Sequence, residues 1–255
     1  MRRGRPRGRS PGAPARTVKG RKPSSTRWLA RQLTDPYVTE AQRRGYRSRA
    51  AFKLIEIDHR CGVLSPGKRV VDLGAAPGGW TQVAVERVRP GSTDPASPTS
   101  LRPPKRATRR REALPEAAGG RVVAMDVTAM EPVPGAEILR HDVCAADAHA
   151  LLKRALGGSA DVLLSDMAPP FTGHRSTDHL RVVALVEAAL GLADKVLAPG
   201  GVFVAKALEG GAGRELIAEL KRRFGKVRHV KPRASRKESA ETYIVATGFR
   251  GGAAA

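Results

Sequence analysis

Cysteine, aromatic side chains and negative charge are all scarce in this chain, and each scarcity removes a class of function. The two cysteines, Cys61 and Cys144, lie far apart, with neither CxxC spacing nor a histidine cluster beside them. That argues against a disulfide framework and against structural zinc, and fits a reducing, cytoplasmic setting. The six histidines show no ligand spacing, so no metal is expected. Aromatic residues make up 4% of the chain, too few for a platform on which single-stranded bases stack. No uninterrupted apolar run approaches the ~20 residues of a membrane span. The Lys/Arg-rich start has no apolar stretch behind it, so it is not read as a secretory signal and the chain reads as soluble. Against 46 Lys+Arg stand 24 Asp+Glu, for a net charge of +22. Such an imbalance points to a polyanionic partner. Phosphate backbones bind basic surfaces by counterion release, with strong salt dependence and no implied sequence preference.

At 255 residues the chain has room for one α/β domain with extras. Residues 1–23 contain almost no large apolar side chain, so nothing offsets the entropy of ordering them, and a basic disordered tail is expected. From Trp28 to about Arg60 apolar residues recur at helical spacing, broken at Asp35-Pro36 and at Gly45, which places helices ahead of the first strand. Arg69-Val70-Val71-Asp72-Leu73 reads as a buried strand, ending in a Gly-rich turn that opens a helix over 79–88. Residues 89–118 are rich in Pro, Ser, Thr and Arg with little to bury, and are too long for a loop inside a compact domain, so they read as an insertion. Further strands are predicted at 121–125, 136–139, 161–165, 201–205 and 243–247, with another near 227–230. Helices are predicted at about 146–156, 177–197 and 213–224. The alternation makes a mainly parallel sheet in a domain running from 24 to 250, with 251–255 a flexible end.

The most informative stretch is Asp72-Leu73-Gly74-Ala75-Ala76-Pro77-Gly78-Gly79-Trp80: an acid at a strand end, a loop of small residues, then a helix. Gly74, Gly78 and Gly79 would let a nucleotide approach the backbone closely. The pattern is not the pyrophosphate-binding GxGxxG, and a carboxylate there would repel a phosphate; it suits a cationic or hydroxyl-bearing ligand. S-adenosylmethionine, with a sulfonium, an ammonium and a ribose, has that chemistry. Asp126, at the end of the next strand, is the candidate for the ribose once the insertion is set aside, and Asp142, one strand further, for the adenine amino group. Helix capping is the ordinary alternative for any one of these acids.

Two side chains stand out for the chemistry. Lys206 ends the apolar strand Val202-Phe203-Val204-Ala205, where an uncompensated charge is costly. Asp166 closes Asp161-Val162-Leu163-Leu164-Ser165, at the strand end where ligands of open α/β sheets gather. Lys53 carries no such signal, since with Glu56 it also fits an ordinary i,i+3 helix pair. The segments SSTRWL, YRSRAAFKLIEI, VVDLGAAPGGWTQ, LLSDMAPPFTG, VLAPGGVFVAK and ETYIVATG, in this order, resemble the RrmJ/FtsJ family of bacterial ribosomal RNA large-subunit ribose 2′-O-methyltransferases. The resemblance implies a Rossmann-like S-adenosylmethionine-dependent methyltransferase fold, with a mostly parallel seven-stranded sheet and helices on both faces. It also implies a Lys-Asp-Lys-Glu tetrad, Lys53, Asp166, Lys206 and Glu241, with Asp166 facing the cofactor's methyl group and Trp80 beside the cofactor. A ribose 2′-hydroxyl is a poor nucleophile and a methyl on sulfonium is already activated, so the protein has to orient the oxygen and accept its proton, without a metal or a covalent intermediate. Lys206 would be base or orienter, and Asp166 and Glu241 would hold the ammonium groups.

The substrate implied by the resemblance is a uridine of 23S ribosomal RNA within the assembled 50S subunit, met by a monomer. Basic clusters in the tail, near Arg43–Arg49, in the insertion and along 221–237 suit contact with RNA shape and phosphates, and a helical stretch over 43–53 is expected to lead to Lys53. Residues 172–180, with His174, Arg175, Asp178 and His179, read as a loop and helix start on the RNA side. Two alternatives stay open: the same chemistry on another RNA, such as a transfer RNA anticodon loop, and a ribosome-assembly factor that binds RNA without catalysis.

Overall fold

A Pro66-Gly67 turn followed by Val and Leu makes Arg69–Leu73 the first strand, β1, buried at every residue but the first. The structure, a computed structural model, describes residues 34–89, 119–170, 172–210, 213–236 and 238–251. The expected basic tail, nearly all of the insertion and residues 252–255 lie outside them. The chain divides into two compact units, Met1–Pro36 and Tyr37–Ala255, and only residues 34–36 of the first are described. Helices α1 (Pro36–Arg44) and α2 (Ala51–Cys61) precede the strand. Pro36 is suited to a helix's first turn, where its missing N–H costs nothing. Gly45 and Gly62, at φ 73° and 62°, follow the two helices with backbone angles that favour glycine. The stretch expected to be helical over 43–53 is therefore two helices joined by a turn.

The order continues with α3 (Gly79–Val88), β2 (Arg121–Asp126), β3 (Ala136–Arg140), α4 (Ala148–Leu156), β4 (Ala160–Ser165), α5 (Arg175–Val196), β5 (Leu197–Leu208), α6 (Arg214–Arg223), β6 (Phe224–Val230) and β7 (Glu241–Phe249). One seven-stranded sheet results, ordered β3-β2-β1-β4-β5-β7-β6. Strands β1 to β5 are parallel, and β7 is antiparallel to both β5 and β6. Leu152 of α4, Leu190 of α5 and Leu216 of α6 bury one face; Leu54 and Ile57 of α2 and Val83 of α3 bury the other. With both faces covered, the central strands read as continuous apolar runs instead of alternating ones. No helix among the described residues is long and apolar enough to cross a membrane.

Strands β5, β6 and β7 all start earlier than expected from the sequence, β5 by the most. Strand β5 starts at Leu197 and carries Pro199-Gly200-Gly201 within it: Ala160 pairs with Leu197 and Val162 with Val202, so the register shifts in between. Pro199 cannot donate to the ladder, and Gly200 sits at φ 80°; such residues mark a bulge as readily as a loop.

The strand order reverses beside β1, which opens a crevice at the carboxyl ends of β1 and β4. The Gly-rich loop after β1, Asp126, Asp142 and Asp166 all emerge there. Because β7 runs the other way, its first residue, Glu241, reaches the same edge. Phe203, fully buried between the Phe224 ring and the rest of this core, makes the packing testable: Phe203→Ala should lower the free energy of urea unfolding by about 3–5 kcal/mol.

Candidate active site

A cavity of about 800 Å³ occupies the crevice, walled by Ser48, Gly74, Asp126, Asp142, Asp166 and Lys206 among others. That volume suits a small-molecule ligand. Its floor depends on Gly74, at φ 67°, where a Cβ would come within 2.5 Å of Met167 Cγ. Only glycine lets the chain leave β1 beneath the end of β4. Asp126 braces the same loop, accepting from Ala76 N at 2.9 Å and Thr128 N at 2.7 Å. Asp142 accepts from Cys144 N at 2.9 Å. Gly78 and Gly79 form the back of the loop; a Cβ on Gly79 would stand 2.4 Å from Ser48 Oγ. Arg47, just before α2, donates to the carbonyls of Pro77, Glu131 and Pro132 and ties the loop to the segment after β2.

Two residues expected at the cofactor are turned into the core. Asp72 is fully buried because the strand runs one residue past it, so its side chain meets α3 instead of the crevice. Thr81 donates to its Oδ2 at 2.7 Å, while Oδ1 has no partner among the described residues. Burial pushes its pKa up to about 7, against the Thr81 hydrogen bond and with the Asp166 and Asp126 carboxylates adding to the rise. Trp80 is buried as well, its indole N–H donating to Ala50 O at 2.8 Å and its ring packed 5.5 Å from that of Tyr243.

The four tetrad residues come together as two ion pairs. Lys206 Nζ lies 2.9 Å from Asp166 Oδ1 and donates to Asp166 O at 2.8 Å. Lys53 Nζ lies 2.8 and 2.9 Å from the two oxygens of Glu241. Between the pairs stands Tyr243, a residue not expected at the site from the sequence. Its hydroxyl donates to Asp166 Oδ1 at 2.6 Å, and Lys53 Nζ lies 5.8 Å from its ring centroid. The available signal was strand parity: Glu241 and Tyr243, two apart on β7, share a face. Burial, then the Asp166 and Glu241 carboxylates, hold the phenol's pKa well above 10, so it acts as a donor. Burial alone would raise Glu241, but the charges of Lys53 and Lys206, with hydrogen bonds from Lys53 and Ser235, bring it below the usual range.

Helix α2 also grips the loop that delivers Glu241. The carboxylate of Glu56, one turn beyond Lys53, accepts from Arg233 N at 2.6 Å and Ala234 N at 3.0 Å, so it serves the loop and is no partner of Lys53. Arg49 and Arg60 donate to Ala234 O and Lys231 O. The loop's Ser235 hydroxyl then donates to Glu241 Oε1 at 2.7 Å. In the 172–180 segment, Asp178 accepts from Thr172 N, Thr172 Oγ1 and Gly173 N, which fixes the entry into α5.

A profile described as FtsJ-like methyltransferase matches residues 46–249. This chain belongs to the FtsJ-like methyltransferase family. Among curated relatives, "Ribosomal RNA large subunit methyltransferase E" of Paramagnetospirillum magneticum is 57% identical over 236 residues, covering 92% of this chain and 87% of that protein. The protein of the same name from Rhodospirillum rubrum is 54% identical over 236 residues, covering 92% and 81%. A solved structure from Plasmodium falciparum, provisionally assigned as a ribosomal RNA methyltransferase, aligns with a TM-score of 0.63 at 26% identity, covering 81% of this chain and 100% of that one.

The FtsJ-like fold uses S-adenosylmethionine, and the cavity fits it. Three carboxylates, Asp126, Asp142 and Asp166, offer acceptors to a cation and to hydroxyl and amino groups, and Ser48 Oγ is a buried hydroxyl on the cavity wall with no partner among the described residues. Bound there, the cofactor supplies an activated methyl group; Asp166 and Lys206, the two tetrad members that line the cavity, stand where an acceptor would be held against it.

Two outcomes are expected. A carboxyl whose folded pKa is raised from 3.8 to about 7 binds more protons folded than unfolded, so its contribution falls as pH rises across that window and is flat above it. Asp72→Asn should therefore stabilise the ligand-free protein most at pH 8, by up to about 4 kcal/mol, with the gain shrinking towards pH 4 in thermal melts. Ser235→Ala, which removes one of the hydrogen bonds that hold the Glu241 carboxylate, should lower kcat for methyl transfer about tenfold, with KM and cofactor binding unchanged in steady-state assays.

Proposed function

We propose that this protein transfers the methyl group of S-adenosylmethionine to the ribose 2′-hydroxyl of a uridine in 23S ribosomal RNA, acting as a monomer on the assembled large subunit in the cytoplasm. The observation that carries the chemistry is the pair of lysine–carboxylate contacts joined through Tyr243, of which the Lys206–Asp166 pair lines the cavity. Lys206 orients the 2′-hydroxyl. With the activated methyl group supplied by the bound cofactor, the proton lost by the 2′-hydroxyl would pass to the Lys206–Asp166 pair, where the Asp166 carboxylate can accept it while Lys206 remains an ammonium. Lys53, held by Glu241, supplies a second positive charge beside the developing alkoxide, where a fixed charge in a partly dry site is worth more than in water. Nothing in this sequence of events calls for a metal.

The acceptor is supported by the names of the relatives and by the net charge of +22, which suits a folded RNA. The unpaired cysteines, Cys61 and Cys144, suit a reducing compartment. The test is transfer of radiolabelled methyl to undermethylated large subunits, to protein-free 23S RNA and to transfer RNA, with the product mapped by resistance to alkaline cleavage. Label is expected at one 23S ribose in subunits, reduced on the order of a hundredfold or more by Lys206→Ala. Label on transfer RNA alone would reassign the acceptor, and no label together with no cofactor binding would leave an RNA-binding assembly factor.

A further inference from the structure

Among the described residues, strand β6 forms one edge of the sheet and pairs only with β7. In that pairing Lys226 stands opposite Thr247, Arg228 opposite Val245 and Val230 opposite Tyr243. Alternate residues of a strand share a face, so Lys226 and Arg228 lie on the face that carries Tyr243 and Glu241. They form a line leading away from the tetrad. Both side chains are exposed, and no carboxylate among the described residues pairs with either. Their basic neighbours Arg222 and Arg223 differ, being matched by Glu219 and Asp194 within the fold. From Leu220 to Lys237 the sequence contains no Asp or Glu.

We propose that this edge is a track for the sugar-phosphate backbone of the substrate RNA, with Lys226 and Arg228 each neutralising a phosphate of the strand whose ribose enters the site. The assignment rests on the RNA-methyltransferase function above and adds a direction to it: RNA leaves the tetrad along β6. At about 3.3 Å per residue, cations two positions apart repeat every ~6.6 Å, comparable to the step between successive phosphates of an RNA strand. Lysine and arginine on an edge strand also discourage sheet-to-sheet addition, but either sign of charge serves that purpose. An acid-free run leading to the catalytic residues selects phosphate. Contacts of this kind position a nucleic acid without reading its sequence.

The experiment replaces both cations, Lys226→Ser with Arg228→Ser, and compares a control with the same loss of charge, Lys153→Ser with Arg154→Ser, exposed on α4 across the sheet. RNA affinity is measured directly by equilibrium binding to protein-free 23S RNA at several salt concentrations, beside methyl transfer to subunits. The β6 variant should lose on the order of tenfold in RNA affinity, and its slope of log affinity against log salt should fall by about 1.5. Its kcat and S-adenosylmethionine affinity should match wild type, and the control should stay within about twofold of wild type in RNA binding. Wild-type affinity and salt slope in the β6 variant would overturn the track, and self-association with unchanged RNA binding would show that the charges only guard the edge. A wild type that binds RNA but methylates none would refute the functional assignment while leaving the track measurable.

Discussion

Tyr243 donates its phenolic proton to Asp166 over 2.6 Å from a ring that packs on Trp80 and lies beneath the Lys53 ammonium. Around this one buried hydroxyl, two ammonium groups and two carboxylates are gathered in a partly dry crevice. Such a cluster is sustainable only when every charge is matched, since a lone buried ion costs several kcal/mol. The matching is distributed over the fold. Lys53 comes from a helix ahead of the sheet, Asp166 from the end of β4, Lys206 from β5, and Glu241 with Tyr243 from β7. The antiparallel course of β7 is what closes the set, because it returns the start of a late strand to the edge where the parallel strands end.

The cofactor cavity depends on the same segments. Arg47, Ser48 and Arg49 are consecutive: the first holds the Gly-rich loop through the Pro77 carbonyl, the second walls the cavity, and the third holds the β6–β7 loop at Ala234. A short stretch before α2 thus joins the cofactor side of the crevice to the catalytic side, and Lys53 follows one turn later. Glu56 and Ser235 complete a circuit in which α2 steadies the loop, the loop steadies Glu241 and Glu241 steadies α2's own lysine.

Much of this is legible in the residues. Short apolar runs between amphipathic segments give the strands and helices, and Asp166 and Lys206 announce themselves because a charge at the end of a buried strand needs a reason. Asp126 and Asp142 line the cavity, as acids after successive parallel strands should. Asp72 and Trp80 do not, since direction along a strand or into a helix is decided by one residue of register that composition does not reveal. The Lys53–Glu241 pair joins residues far apart in sequence, and Glu56 resembles a helix-surface partner of Lys53 until the loop it holds is seen. Strand β5 begins early because Pro199-Gly200-Gly201 can be a bulge as well as a loop.

The antiparallel strand also sets an order of assembly during synthesis. The cavity walls, from Gly74 to Asp166, are translated well before Glu241 and Tyr243, and β6 has no sheet neighbour until β7 arrives. A nascent chain therefore holds the elements of a cofactor cavity while Lys53 still lacks its counter-charge and Asp166 its phenol. The catalytic arrangement is completed only as the β6–β7 hairpin docks, so a chain interrupted before β7 lacks Glu241 and Tyr243 and leaves β6, with Lys226 and Arg228, without its sheet partner.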